Sequence, residues 1–79
     1  MNSNGLSPKQ RQILAFISRY WFEHCYPPTI REIVDGCGLS STSVAAYNLE
    51  RLRRAGHLAI TAGRARSIVP TWVAERMRT

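Results

Sequence analysis

Three features of the sequence predict a mainly α domain that closes on a β-hairpin. Two capping boxes, Ser7-x-x-Gln10 and Thr29-x-x-Glu32, each mark a helix start, because the hydroxyl and the side chain three residues on satisfy each other's free backbone amides. Apolar residues recur at three- and four-residue spacing from Ile13 to Trp21, and again from Ala45 to Leu52. After Gly56 the period shortens to two, with Leu58 and Ile60 alternating with Ala59 and Thr61.

The first helix begins at Pro8, with Ser7 as its cap and proline in the first helical position. Its inward stripe is Ile13, Leu14, Phe16, Ile17, Tyr20 and Trp21; Arg11, Gln12, Ser18 and Arg19 take the other side, and Phe22 is expected to be partly exposed. Pro27 and Pro28 stop it, since a residue before proline is pushed out of the helical region. The second helix follows Thr29, buries Ile33 with help from Ile30 and Val34, and is cut short by Gly36 and Gly38, with Leu39 plugging the bend. Ser41 opens the third, whose buried edge is Ala45, Leu49 and Leu52, and Gly56 ends it in a left-handed cap. Two helices joined by a glycine-containing turn make a helix-turn-helix candidate. Ala62-Gly63-Arg64 then turns the chain, and Ser67, Ile68 and Val69 return as β-compatible residues. An isolated hairpin is marginal in water, so this one must lean on the helices. The whole reads as a winged helix-turn-helix, three helices plus a two-stranded β-hairpin wing, spanning residues 7–69. Residues 1–6 are expected to be a flexible N-terminus, and residues 70–79 a tail or one short helix with Trp72, Val73 and Met77 on one side.

The chain's 79 residues carry a net charge of +6, which favours a polyanion as partner. From Arg51 onward seven arginines face a single acid, Glu75, so the excess sits in the C-terminal third. Several function classes are excluded. There is no G-x-S-x-G, P-loop or H-E-x-x-H, and a core this small leaves few apolar side chains to line a substrate cavity, so an enzyme is not expected. His24, Cys25, Cys37 and His57 match no zinc spacing, and neither metal nor cofactor is expected. No apolar run approaches the roughly 20 residues that span a bilayer. The start MNSNGLSPKQ lacks the features of a signal peptide, and reduced cytoplasmic thiols are the expectation.

Several short runs together carry a family resemblance: Leu6-Ser7-Pro8-Lys9-Gln10, Tyr26-Pro27-Pro28-Thr29 with Arg31-Glu32-Ile33, Gly38-Leu39-Ser40-Ser41, Leu49 and Leu52, Gly56, and Gly63 through Arg66 with Ile68. In this order they resemble the N-terminal DNA-binding domain of the LexA repressor family, over Leu6 to Val69. The resemblance implies a standalone LexA-like transcriptional regulator, a repressor by type, that places its third helix in the major groove of double-stranded DNA and its wing on the backbone or minor groove. By position, the residues implied to read bases are Ser41, Ser43, Val44, Ala46 and Tyr47. Those implied to touch the DNA backbone are Lys9, Arg31, Ser40, Thr42, Arg53, Arg54, Arg64 and Arg66. The helical period agrees, because a helix burying Ala45, Leu49 and Leu52 turns Thr42, Ser43, Ala46 and Tyr47 outward at its N-terminal end. Hydroxyls there reach base edges or phosphates, and Val44 and Ala46 suit a thymine methyl.

Three departures stand out. The family often carries an acidic pair where this chain has Ala46-Tyr47, so the family's usual target sequence is not carried over. Cys25 stands where the family commonly has glycine. The family's self-cleaving C-terminal half, with its Ala-Gly linker and Ser/Lys pair, has no counterpart after Val69, and self-cleavage is not expected of this chain. A weak or DNA-induced homodimer is one expected assembly, with the tail folding back beside the first helix in the free monomer. The alternative function is a winged-helix protein-interaction module, such as a co-repressor, antirepressor or polymerase-binding factor, with a partner protein and little DNA affinity.

Overall fold

The computed structural model describes residues 5–61, 63–64 and 66–77. The elements run α1 (Pro8–His24), α2 (Ile30–Cys37), α3 (Thr42–Arg54), β1 (Leu58–Ala59), β2 (Val69–Pro70) and α4 (Thr71–Met77). Both capping boxes form. Ser7 Oγ accepts the Gln10 amide at 3.1 Å while Gln10 Oε1 accepts that of Ser7 at 3.1 Å, and the Thr29–Glu32 pair repeats the arrangement at 3.2 and 2.8 Å.

Cys25 ends α1 in the left-handed conformation, φ 62°, with its amide donating to the Trp21 carbonyl at 2.8 Å. A cysteine therefore adopts the backbone that glycine would take here, at a cost of about 1 kcal/mol. Gly36 has a different part from the one expected. Helix α2 runs through it to Cys37, and Gly38, φ 65°, ends the helix. A Cβ on Gly36 would land on the Phe16 ring, so the residue permits close approach of α1 and α2.

The core is one cluster: Ile13 and Ile17 of α1, Ile33 and Cys37 of α2, Leu49 and Leu52 of α3, and Leu58 and Ile68 of the wing. Ala45 is also fully buried, as the three- and four-residue spacing in α3 requires. Tyr20 and Trp21, expected inside, are half-buried. Phe22 is exposed.

The wing departs from a regular ladder. Its antiparallel strands pair only Leu58 with Pro70 and Ala59 with Val69. Beyond them the Ser67 hydroxyl does the work of backbone pairing: it accepts the Thr61 amide at 3.2 Å and donates to the Thr61 carbonyl at 2.9 Å. The Arg64 amide closes the turn on the Thr61 carbonyl at 3.3 Å. Ala62, the first residue of the expected turn, lies outside the described residues.

The tail forms a fourth helix, where the sequence left a choice. Thr71 ties its start down, its amide donating to the His57 carbonyl at 3.1 Å and its hydroxyl to the Gly56 carbonyl at 2.7 Å. Val73 is 2% exposed, so α4 folds back onto the chain's own core. Trp72 stacks on Phe22 of α1 with ring centroids 5.5 Å apart. The Met77 side chain, expected on the same side, lies outside the described residues.

Candidate nucleic-acid interface

The first two turns of α3 present small hydroxyls and one aromatic ring to solvent. Ser40, Ser41, Thr42, Ser43, Ala46 and Tyr47 are all exposed, and the first turn holds no acid. Ser41 caps the helix by accepting the Val44 amide at 3.3 Å, which leaves its own hydrogen for an external acceptor. Val44 is half-buried, so it presents the least surface of the five residues expected to read bases. The positive end of the helix dipole points out through this same turn.

A buried polar relay fixes where α3 sits. Gln10, already engaged through Oε1 at the start of α1, donates from Nε2 to Asn48 Oδ1 at 3.2 Å, and Asn48 Nδ2 donates to the Val44 carbonyl at 2.9 Å. Gln10 and Asn48 are 9% and 8% exposed. The relay links the cap of the first helix to the turn that carries the proposed base readers. Sequence reasoning missed it, although Asn48 falls at the i+3 position from Ala45 and so on the buried face.

The cations are arranged less freely than the sequence suggests. Arg53 binds Glu50 with both Nε and Nη2, at 3.0 and 2.7 Å, and Arg54 Nε reaches the same carboxylate at 3.1 Å. These hydrogen bonds, led by that of Arg53, hold the Glu50 carboxyl down at about 2. Arg51 lies over the Tyr47 ring, 5.8 Å from its centroid. Arg31 and Arg64 have no side-chain partner among the described residues, and Lys9 is exposed at the start of α1.

Arg66, expected at the DNA backbone, is exposed and bonded to the body of the domain. Its guanidinium donates to both oxygens of Glu32 at 3.1 and 3.0 Å and to the Pro27 carbonyl at 2.9 Å, and it stacks 4.8 Å from the centroid of Tyr26. Tyr20 packs against the same group, with desolvation the leading reason that its phenol titrates above the ordinary value. Nothing in the spacing of Glu32 and Arg66, 34 residues apart, shows that they meet.

The Arg66 hydrogen bonds, followed by the Thr29 amide, pull the Glu32 carboxyl from 4.5 to about 2. A carboxyl lowered on folding adds stability that is fully present above the unfolded value and is lost as the solution is acidified through the folded one. The stability difference between the wild type and Glu32→Gln is therefore expected to shrink as pH falls from 4.5 to about 2. Urea midpoints of both proteins across that window check it; a difference that ignores pH would disprove it. Glu50 is present in both and cancels.

Among the described residues no group of three His, Cys, Asp or Glu is placed to hold a metal ion, and no helix is long and apolar enough to cross a membrane.

Comparison with known proteins agrees with this geometry. The family model of the LexA DNA binding domain matches residues 3–67. The LexA repressor of Roseiflexus sp. (strain RS-1) is 56% identical over 55 residues, covering 70% of this chain and 25% of that protein. That of Carboxydothermus hydrogenoformans is 45% identical over 58 residues, covering 73% of this chain and 28% of that one. In both cases the chain spans about a quarter of its relative's length. Among solved structures, the transcriptional regulator Tm0710 from Thermotoga maritima superposes with a TM-score of 0.67 at 28% identity, over 95% of this chain and 50% of that one. With its capped helix pair, outward-facing third helix and hairpin wing, the chain belongs to the LexA DNA-binding domain family.

Proposed function

We propose that the chain binds double-stranded DNA sequence-specifically, as the DNA-binding part of a LexA-like repressor. Its α3 lies in the major groove, with Ser41, Ser43, Val44, Ala46 and Tyr47 toward base edges. Lys9, Arg31, Ser40, Thr42, Arg53, Arg54 and Arg64 lie along the phosphates. The observation that carries this reading is the exposed, acid-free start of α3, held in place by the Gln10–Asn48 relay. The burial of Val73 supports a monomer in free solution, with pairing that is weak or confined to duplexes carrying two half-sites.

Affinity for random duplex is expected to fall steeply with salt. Arg64→Ala should weaken binding to every sequence and flatten the log-log salt slope by about one unit. Ser43→Ala and Tyr47→Ala should instead leave random-duplex affinity near wild type and lose about 1–3 kcal/mol of discrimination at one base position each. Titrations at graded salt check both, and a wild-type slope near zero would sink the reading.

One observation favours a protein-interaction module instead. Phe22 and Trp72, 71% and 41% exposed, stack into an aromatic patch, the kind of surface that partners cover. That reading requires little duplex affinity even at low salt.

A further inference from the structure

The wing has little beneath it. Its root is anchored by Leu58, Ile68 and Val69, all buried, but the arm from Thr61 to Ser67 borders an open hollow of about 610 Å³ reaching Trp21 and Ala74. Among the described residues of the arm, Thr61, Arg64 and Ser67 make their hydrogen bonds within the loop. The Ser67 hydroxyl closes the loop on itself and holds it to nothing else. What ties the arm to the body is the Arg66 guanidinium, bonded to Glu32 and the Pro27 carbonyl and stacked on Tyr26.

We propose that Arg66 is a positioning residue: it latches the wing to the start of α2, so that Arg64 meets the phosphate at a set angle, and does not itself contact DNA. The inference rests on the DNA-binding reading above. Two observations support it. A planar guanidinium engaged by both carboxylate oxygens is in its preferred geometry, and a phosphate would have to displace those bonds and uncover the Tyr26 ring. The acceptor is also fixed, because Glu32 Oε1 is held by the Thr29 amide at 2.8 Å in the capping box. The latch thus joins the wing to the helix pair that carries α3.

The capping box supplies a clean variant. Glutamine at position 32 can still accept the Thr29 amide, so Glu32→Gln removes the ion pair and keeps the helix cap. If Arg66 contacted phosphate, loss of the acid would free it, tighten duplex binding and steepen the salt slope by about one unit. The latch requires the opposite sign, with Glu32→Gln binding about fivefold more weakly, as loss of one bidentate network implies, and with no steeper slope. Arg66→Met should match it, and the double variant should be no worse than either single one, since both break the same link.

A DNA-free measurement separates the two ideas. Amide exchange at Thr61 and Arg64 should accelerate in Glu32→Gln while that of α1 and α3 holds. Tighter binding by Glu32→Gln, additive losses in the double variant, or unchanged exchange in the wing would each overturn the latch. A wild type without duplex affinity would overturn the DNA-binding reading and Arg66's part in it, leaving exchange to decide whether the latch holds the wing.

Discussion

Leu52→Ala is expected to lower stability by about 3 kcal/mol, because a fully buried leucine leaves both its transfer energy and a cavity behind. Leu52 belongs to the one cluster that α1, α2, α3 and the wing share, so the loss falls on the core common to all of them. Small domains hold about 5–15 kcal/mol in total, and the variant should melt well below the wild type. Calorimetry gives the shift directly. A loss under about 1 kcal/mol would mean that this cluster is not the core on which α3 rests.

Asn48→Ala is the second large effect, at about 2 kcal/mol, since it strands the buried Gln10 amide without an acceptor. The substitution should also move the start of α3, because Asn48 holds the Val44 carbonyl at 2.9 Å. Duplex discrimination should therefore decline along with stability. Gln10→Ala with Asn48→Ala should be less than additive in urea unfolding, as expected when two side chains share one bond. Simple additivity would show that the relay does not couple the two helices.

Much of this fold was legible because its signals are local. A hydroxyl three residues before Gln10 or Glu32 specifies a helix start whatever lies elsewhere in the chain, and the spacing of Ala45, Leu49 and Leu52 specifies the inner face of α3. The same spacing put Ser43, Ala46 and Tyr47 outside, where the structure has them. What the sequence concealed depends on pairs distant along the chain. Gly36 read as a helix stop, yet it is helical, and its lack of a side chain leaves room for the Phe16 ring. Arg66 gave no sign of a partner within the chain, yet the fold brings Glu32 within 3.0 Å of it. The short strands have the same origin, since Ser67 and Arg66 fix the wing by side-chain bonds in place of a longer ladder. The tail was undecided because the burial of its Pro70 and Val73 depends on a core assembled from elsewhere.

The claim that the exposed face of α3 reads bases is tested most directly by selecting bound duplexes from a random pool, in parallel for the wild type, Ser43→Ala and Tyr47→Ala. An enriched half-site is expected for the wild type, and a changed preference at one position for each variant. No enrichment, or one motif common to all three proteins, would contradict it.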